Sequence, residues 1–269
     1  MIADLLPRRL VLVLPLLLCA GARLHAGDTE EPGLALNGVA HVAFRVADVP
    51  KSREFYRTLG WEPAFEFSDD KGTATSYVKI NDRQFIELYR RNAPTEALGL
   101  MHICLEGANL DALVAAYRKG GLTTTEPRKA RAGNLLFNIH DPEGHLIEYT
   151  QYLPGSLHMN EKGKHVLETR LSDHMIRVSQ RVTDVAAVTG FFTGNLGFTY
   201  LGPGRLGAPG ASGEEVLLTA TPEGEPRLVF RVADVKRTIE ALKKRGVAVI
   251  GDGALVRDPD GALLFFVER

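Results

Sequence analysis

The stretch FRVADV at positions 44–49 decides the fold, because the same six letters recur at positions 230–235. A shorter copy, RVTDV, occupies positions 181–185. Each copy begins like a β-strand, with alternating apolar residues, and reaches an aspartate of the kind that caps a helix N-terminus. After the first copy, a helical pattern ends at Gly60, and strand patterns follow at 62–67, 75–80 and 84–90. The repeating unit is therefore predicted to be a strand, a helix and about three strands.

A further unit without the FRVADV letters begins at Met101, and its helix is predicted over Leu110–Lys119. The chain then contains four such units at a spacing of roughly 50–60 residues, and internal repeats of this length outweigh local secondary-structure signals. Two related turns, DPEG at 141–144 and DPDG at 258–261, carry the proline and glycine that tight turns need. The sequence predicts an α+β protein of four βαβββ modules.

The charge balance excludes nucleic acid as a partner. The 269 residues include 32 Lys+Arg and 33 Asp+Glu, for a formal net charge of −1. No basic stretch is dense enough to hold a phosphate backbone. With 45% hydrophobic and 24% charged residues, the composition is typical of a globular protein with a sizeable core.

Residues 1–26 have the order of a secretory signal peptide. Arg8 and Arg9 precede an apolar run over 10–20, and small residues follow up to Ala26. A bilayer span needs about 20 residues, so this run is too short to be one. We therefore expect a periplasmic or secreted protein with no stable membrane span after signal removal. Cys104 would then be the single thiol, so no internal disulfide is expected.

Three motifs give the repeats a family resemblance: FYRTLGW at 55–61, FFTGNLGF at 191–198 and DPEGHLIEY at 141–149. Together with the four units, they resemble the vicinal oxygen chelate superfamily. This group includes glyoxalase I, methylmalonyl-CoA epimerase, extradiol dioxygenases and fosfomycin or bleomycin resistance proteins. The resemblance covers nearly all of residues 36–269. It implies that two units pair into a cupped sheet that holds a metal, although the fold alone does not specify the reaction.

The resemblance also implies a ligand set. In glyoxalase-like members, the metal is held by His, Glu, His and Glu on the strands, and this chain offers His41, Glu87, His102 and Glu148. Such a set suits one divalent ion, and the sequence leaves open whether that ion is Zn, Ni, Fe or Mn. Whether Glu87 is a ligand also stays open, because the extradiol dioxygenases use only the two histidines and the final glutamate.

The second half of the chain lacks these residues at the equivalent positions. Counting from the repeated motifs places Arg177 where the first half has His41, Arg227 where it has His102 and Phe265 where it has Glu148. The intact set favours pairing of the first two units, within one chain or in a dimer that restores the same combination. We therefore predict a metal-binding domain over 36–152, a linker over 153–170 and a degenerate domain of the same fold over 171–269.

Three functions remain open at this point. The first is a glyoxalase-type lyase or isomerase, in which the metal stabilises an enediolate and Glu148 or Glu87 moves the proton. The second is a non-haem Fe(II) extradiol-type dioxygenase that uses His41, His102 and Glu148. The third is a resistance protein that sequesters a small molecule without turnover.

The partner in each case is a small-molecule substrate or ligand, and either a monomer or a homodimer is compatible with the sequence. Four side chains are predicted to line the substrate pocket: Arg45, Tyr77, Tyr89 and Cys104. Arg45 either holds an acidic substrate or forms an ion pair with a neighbouring acid. Cys104 is expected to fill space rather than to act as a nucleophile.

Overall fold

The computed structural model describes residues 34–210, 213–221 and 227–268. The expected signal peptide at 1–26 lies outside these residues. Within them, no helix combines the length and the apolar character needed to cross a membrane.

The first half is built from eight strands and three helices in the described residues. The first unit contains β1 (Leu36–Val46), α1 (Val49–Thr58), β2 (Pro63–Asp69), β3 (Gly72–Lys79) and β4 (Phe85–Arg90). The second contains β5 (Gly99–Gly107), α2 (Leu110–Lys119), β6 (Arg128–Lys129), β7 (Leu135–His140) and β8 (Leu146–Gln151), and a short helix, α3 (Leu157–Asn160), follows. The predicted bounds of α2 match the structure.

The second half repeats this order. The third unit contains β9 (His174–Arg181), α4 (Val185–Asn195), β10 (Thr199–Gly202), β11 (Arg205–Gly207) and β12 (Glu215–Thr219). The fourth contains β13 (Leu228–Val232), α5 (Val235–Lys244), β14 (Ala254–Arg257) and β15 (Leu263–Glu268). Its described part thus has two strands after the helix rather than three.

Two mixed sheets result, and each is formed by two consecutive units. The first has the strand order β2-β3-β4-β1-β5-β8-β7-β6, and the second β10-β11-β12-β9-β13-β15-β14. Within the first sheet, β1 pairs in parallel with β4 and antiparallel with β5, so the two units meet along their first strands. The predicted α+β class is confirmed, and units pair in sequential order.

The repeated aspartates cap the helices as expected. Asp48, Asp184 and Asp234 each accept a hydrogen bond from the backbone N–H three residues later. Asn109 does the same for α2. These side chains satisfy backbone donors that the first helical turn leaves without intrahelical partners. The FRVADV repeat is therefore a strand end joined to a helix cap.

The two DP turns connect the halves of the molecule. Glu143 of the DPEG turn accepts hydrogen bonds from the backbone N–H groups of Thr183 and Asp184, at the start of α4. In return, Asp260 of the DPDG turn accepts bonds from Ala47 N–H and the Ser52 hydroxyl, at the start of α1. Each turn thus binds the repeated motif of the opposite half.

A single aromatic core also spans both halves. Tyr56 and Trp61 are fully buried, and the ring centroid of Trp61 lies 4.5 Å from that of Phe230 and 6.3 Å from that of Phe266. The Trp61 indole N–H donates to the carbonyl of Ser172 at 2.8 Å. Burial of such rings is a large part of core stability, since truncating one to alanine costs about 3–5 kcal/mol.

Candidate metal centre

The four predicted ligand residues lie on the four central strands of the first sheet. β1 carries His41 and lies between β4, which carries Glu87, and β5, which carries His102. Glu148 is on β8, the other neighbour of β5. Because side chains alternate along a strand, these four side chains share one face, while the adjacent residues point into the hydrophobic core. The sheet therefore brings together residues more than 100 positions apart.

Three of the four side chains meet at one point. His41 Nε2 lies 3.2 Å from His102 Nε2 and 3.3 Å from Glu148 Oε1. The third distance, from His102 Nε2 to Glu148 Oε1, is 4.0 Å. All three residues are buried, with exposed fractions of 2%, 7% and 8% for His41, His102 and Glu148.

Glu87 approaches His41 from the other side of the imidazole ring. Its Oε1 is 3.4 Å from His41 Nδ1, and its Oε2 accepts a hydrogen bond of 2.7 Å from the Tyr89 hydroxyl. Two further sets of ligand atoms also lie within 4.8 Å of one another, and His41 belongs to both. One set comes from His41, Glu87 and His102. The other comes from His41, Cys104 and Glu148.

The donor set fits a divalent metal ion. Two ligand atoms about 2.1 Å from one ion, at a bond angle of roughly 90–110°, lie about 3.0–3.4 Å apart. The separations of His41 Nε2 from His102 Nε2 and from Glu148 Oε1 fall in this range. The third separation, 4.0 Å between His102 Nε2 and Glu148 Oε1, corresponds to a wider bond angle. Two imidazoles and a carboxylate suit the borderline ions Zn, Ni, Fe and Mn.

Burial and the charges of neighbouring side chains shift the pKa values of all four residues. Burial lowers the pKa of His102 to about 4, so its ring is neutral near pH 7 and keeps a free lone pair. Burial opposes a charge on His41, but the carboxylates of Glu87 and Glu148 outweigh it and raise its pKa. Burial would raise the pKa of Glu148, yet the hydrogen bond and charge of His41 hold it below its usual value. Burial raises the pKa of Glu87 to about 7.

A cavity of about 290 Å³ opens beside these residues. Glu87 and Glu148 both line it, and so do Tyr77 and Tyr89, two of the predicted pocket residues. The cavity is close in size to the smaller ligand pockets of proteins. Its remaining walls are formed by Phe67, Thr75, Arg128, Ala130, Arg131, Asn134, Leu136 and His158.

The other two predicted pocket residues, Arg45 and Cys104, do not line this cavity. Arg45 forms an ion pair with Glu96 at 3.5 Å and donates to the carbonyl of Ala97 at 3.2 Å, so the structure shows the ion-pair alternative. Cys104 is fully buried beneath the site and is not part of the cavity wall. Burial raises the pKa of its thiol, so the group stays protonated.

Among the cavity residues that were not predicted from the sequence, three are basic: two arginines and a histidine. Arg128 and Arg131 line the cavity, and the guanidinium of Arg131 lies 4.1 Å from the ring centroid of Phe67. The basic cluster RKAR at 128–131 is the signal that could have indicated them. His158 comes from α3, in the predicted linker, and no pattern in the sequence marks it.

The second half contains ion pairs and apolar groups at the equivalent positions. In the first half, Cys104 lies opposite His41 on one neighbouring strand and Glu148 on the other. In the second half, Val229 lies opposite Arg177 and Phe265 in the same way. The guanidinium of Arg177 lies 3.2 Å from Glu215, which also binds Arg205. The register therefore agrees with the equivalences counted from the sequence. Both candidate metal groups found among the described residues lie in the first half.

Comparison with known proteins agrees with the sequence motifs. Residues 38–149 match the family described as "Glyoxalase/Bleomycin resistance protein/Dioxygenase superfamily". The predicted resemblance is thereby confirmed. No curated protein sequence matches the chain.

Solved structures share the fold over most of the chain. The Mn(II)-bound glyoxalase from Novosphingobium aromaticivorans is 18% identical, with a TM-score of 0.65 over 86% of this chain and 82% of that one. An extradiol ring-cleaving dioxygenase from B. fuscum is 17% identical, with a TM-score of 0.65 over 87% and 72%. The 2,3-dioxygenase LapB from Pseudomonas sp. KL28 is 18% identical, with a TM-score of 0.59 over 87% and 94%. At these identities the similarity establishes the fold and leaves the reaction open.

Proposed function

We propose that this chain, whose residues 38–149 match the glyoxalase, bleomycin resistance and dioxygenase superfamily, is a metal-dependent lyase or isomerase of glyoxalase type. The observation that carries the proposal is the position of Glu87. It lines the cavity beside the cluster of His41, His102 and Glu148, and it faces the second nitrogen of His41. The site thus has three clustered donor atoms and a further carboxylate at the substrate cavity.

His41, His102 and Glu148 would hold the metal, since their donor atoms lie within 4.0 Å of one another. A divalent ion bound there supplies Lewis-acid polarisation of a substrate oxygen. The three side chains are buried, so electrostatic interactions among them are stronger than in bulk solvent.

Glu87 would act as the general base and acid of the reaction. Its Oε2 is fixed by the Tyr89 hydroxyl, so the carboxylate is held in one orientation at the cavity wall. In the proposed reaction, it takes a proton from a substrate carbon next to a carbonyl group, exchanges it with solvent and delivers a proton to the neighbouring carbon. Positioned carboxylates contribute typically 10²–10⁴-fold to such proton transfers.

A second candidate is a non-haem Fe(II) dioxygenase of the extradiol type. The specific observation in its favour is the grouping of two histidines and one carboxylate, which is the ligand set of many non-haem Fe(II) oxygenases. In that case, Glu87 would serve to orient His41 through its second ring nitrogen.

Two assays on the purified protein separate these candidates. Solvent deuterium exchange into α-hydroxyketones, beginning with dihydroxyacetone, is followed by proton NMR in D₂O. Oxygen uptake is measured with catechols after anaerobic loading with Fe(II). A lyase or isomerase exchanges the substrate proton and consumes no oxygen. Oxygen uptake that depends on a catechol would overturn the lead proposal in favour of the dioxygenase.

A pair of isosteric variants tests the division of roles. Glu148→Gln should lose the metal, because it removes a charged donor beside His41 Nε2. Glu87→Gln should keep the metal and lose deuterium exchange by about 100-fold or more. Equal metal loss in the two variants would show that Glu87 is a metal ligand and would remove the basis for its separate role.

A further inference from the structure

His158 is a buried imidazole whose hydrogen-bonding capacity is unused. It lies in α3, between the two sheets in the chain, and lines the same cavity as Glu87 and Glu148. Its exposed fraction is 4%, and neither ring nitrogen has a hydrogen-bond partner among the described residues. Leaving a buried polar group unsatisfied costs about 1–3 kcal/mol. An occupant of the cavity could supply the missing partner.

The ring of His158 is held in one place by aromatic neighbours. Its centroid lies 4.6 Å from that of Tyr152, 4.9 Å from Phe65 and 5.0 Å from Phe85. Tyr77, which also lines the cavity, is in edge contact at 5.6 Å. A side chain fixed in this way loses little further entropy when it binds a ligand.

The segment that carries His158 is fixed from the sheet as well. Lys79 of β3 has a fully buried side chain, and its Nζ donates to the carbonyls of Glu161 at 2.6 Å and Lys164 at 2.9 Å. Asp82 lies 2.6 Å from the same ammonium. The predicted linker is therefore a fixed wall of the cavity.

The chemistry of a neutral imidazole limits what it binds. Burial lowers the pKa of His158 to about 3, so near neutral pH the ring has one N–H donor and one acceptor nitrogen. A hydroxyl group can form a hydrogen bond with either nitrogen, because it both donates and accepts. A carboxylate can only accept, so it can bind the N–H alone. The nearby walls contributed by Phe67 and Leu136 offer apolar surface to the rest of the molecule.

We propose that His158 is a substrate-contacting residue, whose ring hydrogen-bonds a hydroxyl group of a small molecule bound in the cavity beside Glu87 and Glu148. The proposal rests on the proposed function only in placing the substrate in this cavity. It defines the substrate class as a hydroxylated small molecule with an apolar part.

The test uses three variants of the full chain and one probe. The probe is 4-nitrocatechol, whose two adjacent hydroxyl groups and visible absorbance allow an anaerobic binding titration. His158→Phe keeps an aromatic ring and removes both nitrogens, and His158→Asn restores a donor and an acceptor. The control, His140→Phe, makes the same exchange at an exposed position outside the cavity. Metal content and melting temperature are measured for every protein.

His158→Phe should weaken probe binding about tenfold or more, with unchanged metal content. His158→Asn should recover most of the affinity, and the control should behave like the native chain. Without the probe, His158→Phe should be at least as stable as the native chain, because an apolar ring replaces a ring whose nitrogens have no hydrogen-bond partner.

Equal probe affinity in the native chain and His158→Phe, or no binding by the metal-containing native chain, would overturn the proposal. Destabilised His158→Phe would indicate a structural role instead. Absence of metal from the native chain would contradict the proposed function rather than the role of His158.

Discussion

Replacing Lys79 by methionine should release the segment that forms the cavity wall. The methionine keeps most of the apolar stem and removes the ammonium group that binds the carbonyls of Glu161 and Lys164. Each hydrogen bond from a charged donor contributes about 1.5–3 kcal/mol, and the variant leaves both acceptors unpaired. The ion pair with Asp82 adds little, because that carboxylate is partly exposed. The two lost hydrogen bonds together predict a loss of about 3–6 kcal/mol.

This loss should be local before it is global. Hydrogen exchange of the backbone amides in 157–165 should accelerate by about two to four powers of ten, since 1.4 kcal/mol corresponds to one power of ten. The control is Lys162→Met, at an exposed lysine of the same segment, which should change stability by less than about 0.5 kcal/mol. Unchanged exchange in Lys79→Met, together with a stability loss below about 1 kcal/mol, would refute the role given to Lys79.

Three further predictions concern the contact between halves, the response to acid and the response to metal removal. Tyr56→Phe removes the hydroxyl that donates to Asp258 at 3.2 Å, so the free energy of unfolding in urea should fall by about 1–3 kcal/mol; an unchanged midpoint would contradict this. The unfolded chain binds a proton at His158 below pH 6.5, whereas the folded protein excludes it down to about pH 3. Native stability should therefore fall as pH drops through this range, and more steeply than that of His158→Phe, measured by urea titrations at several pH values; parallel pH profiles would refute it. Chelation of the metal should lower the melting temperature by several degrees, because a ligand at 100 times its dissociation constant stabilises the fold by about 2.7 kcal/mol. The melting temperature of His41→Ala should not respond to the chelator.

Local patterns in the sequence predicted the parts of the fold that depend on local physics. The aspartates of the repeats are caps, and Asp48 binds the backbone three residues later as the motif indicates. Alternation along a strand puts His41, Ala43 and Arg45 on one face of β1. The grouping of His41 with His102 and Glu148 required the family resemblance, because strand order cannot be read from the spacing alone.

Contacts between distant parts of the chain could not be predicted in this way. The DP turns were expected only as turns, yet Glu143 and Asp260 bind the opposite half, because their side chains project from exposed hairpins toward free N–H groups. His158 lies in a short helix with no periodicity, so nothing in its neighbours indicated burial in the cavity. Arg45 shares the face of His41 along β1, but the nearby Glu96 engages its long side chain.

The most direct test of the account is the metal content of the purified native chain and two variants, measured by elemental analysis. We predict one divalent ion per chain in the native protein and in Arg177→Gln, which alters the equivalent position of the second half. His102→Ala should contain none, because it removes a donor atom 3.2 Å from His41 Nε2. Metal retained in His102→Ala, or lost from Arg177→Gln, would contradict the assignment of the site to the first half.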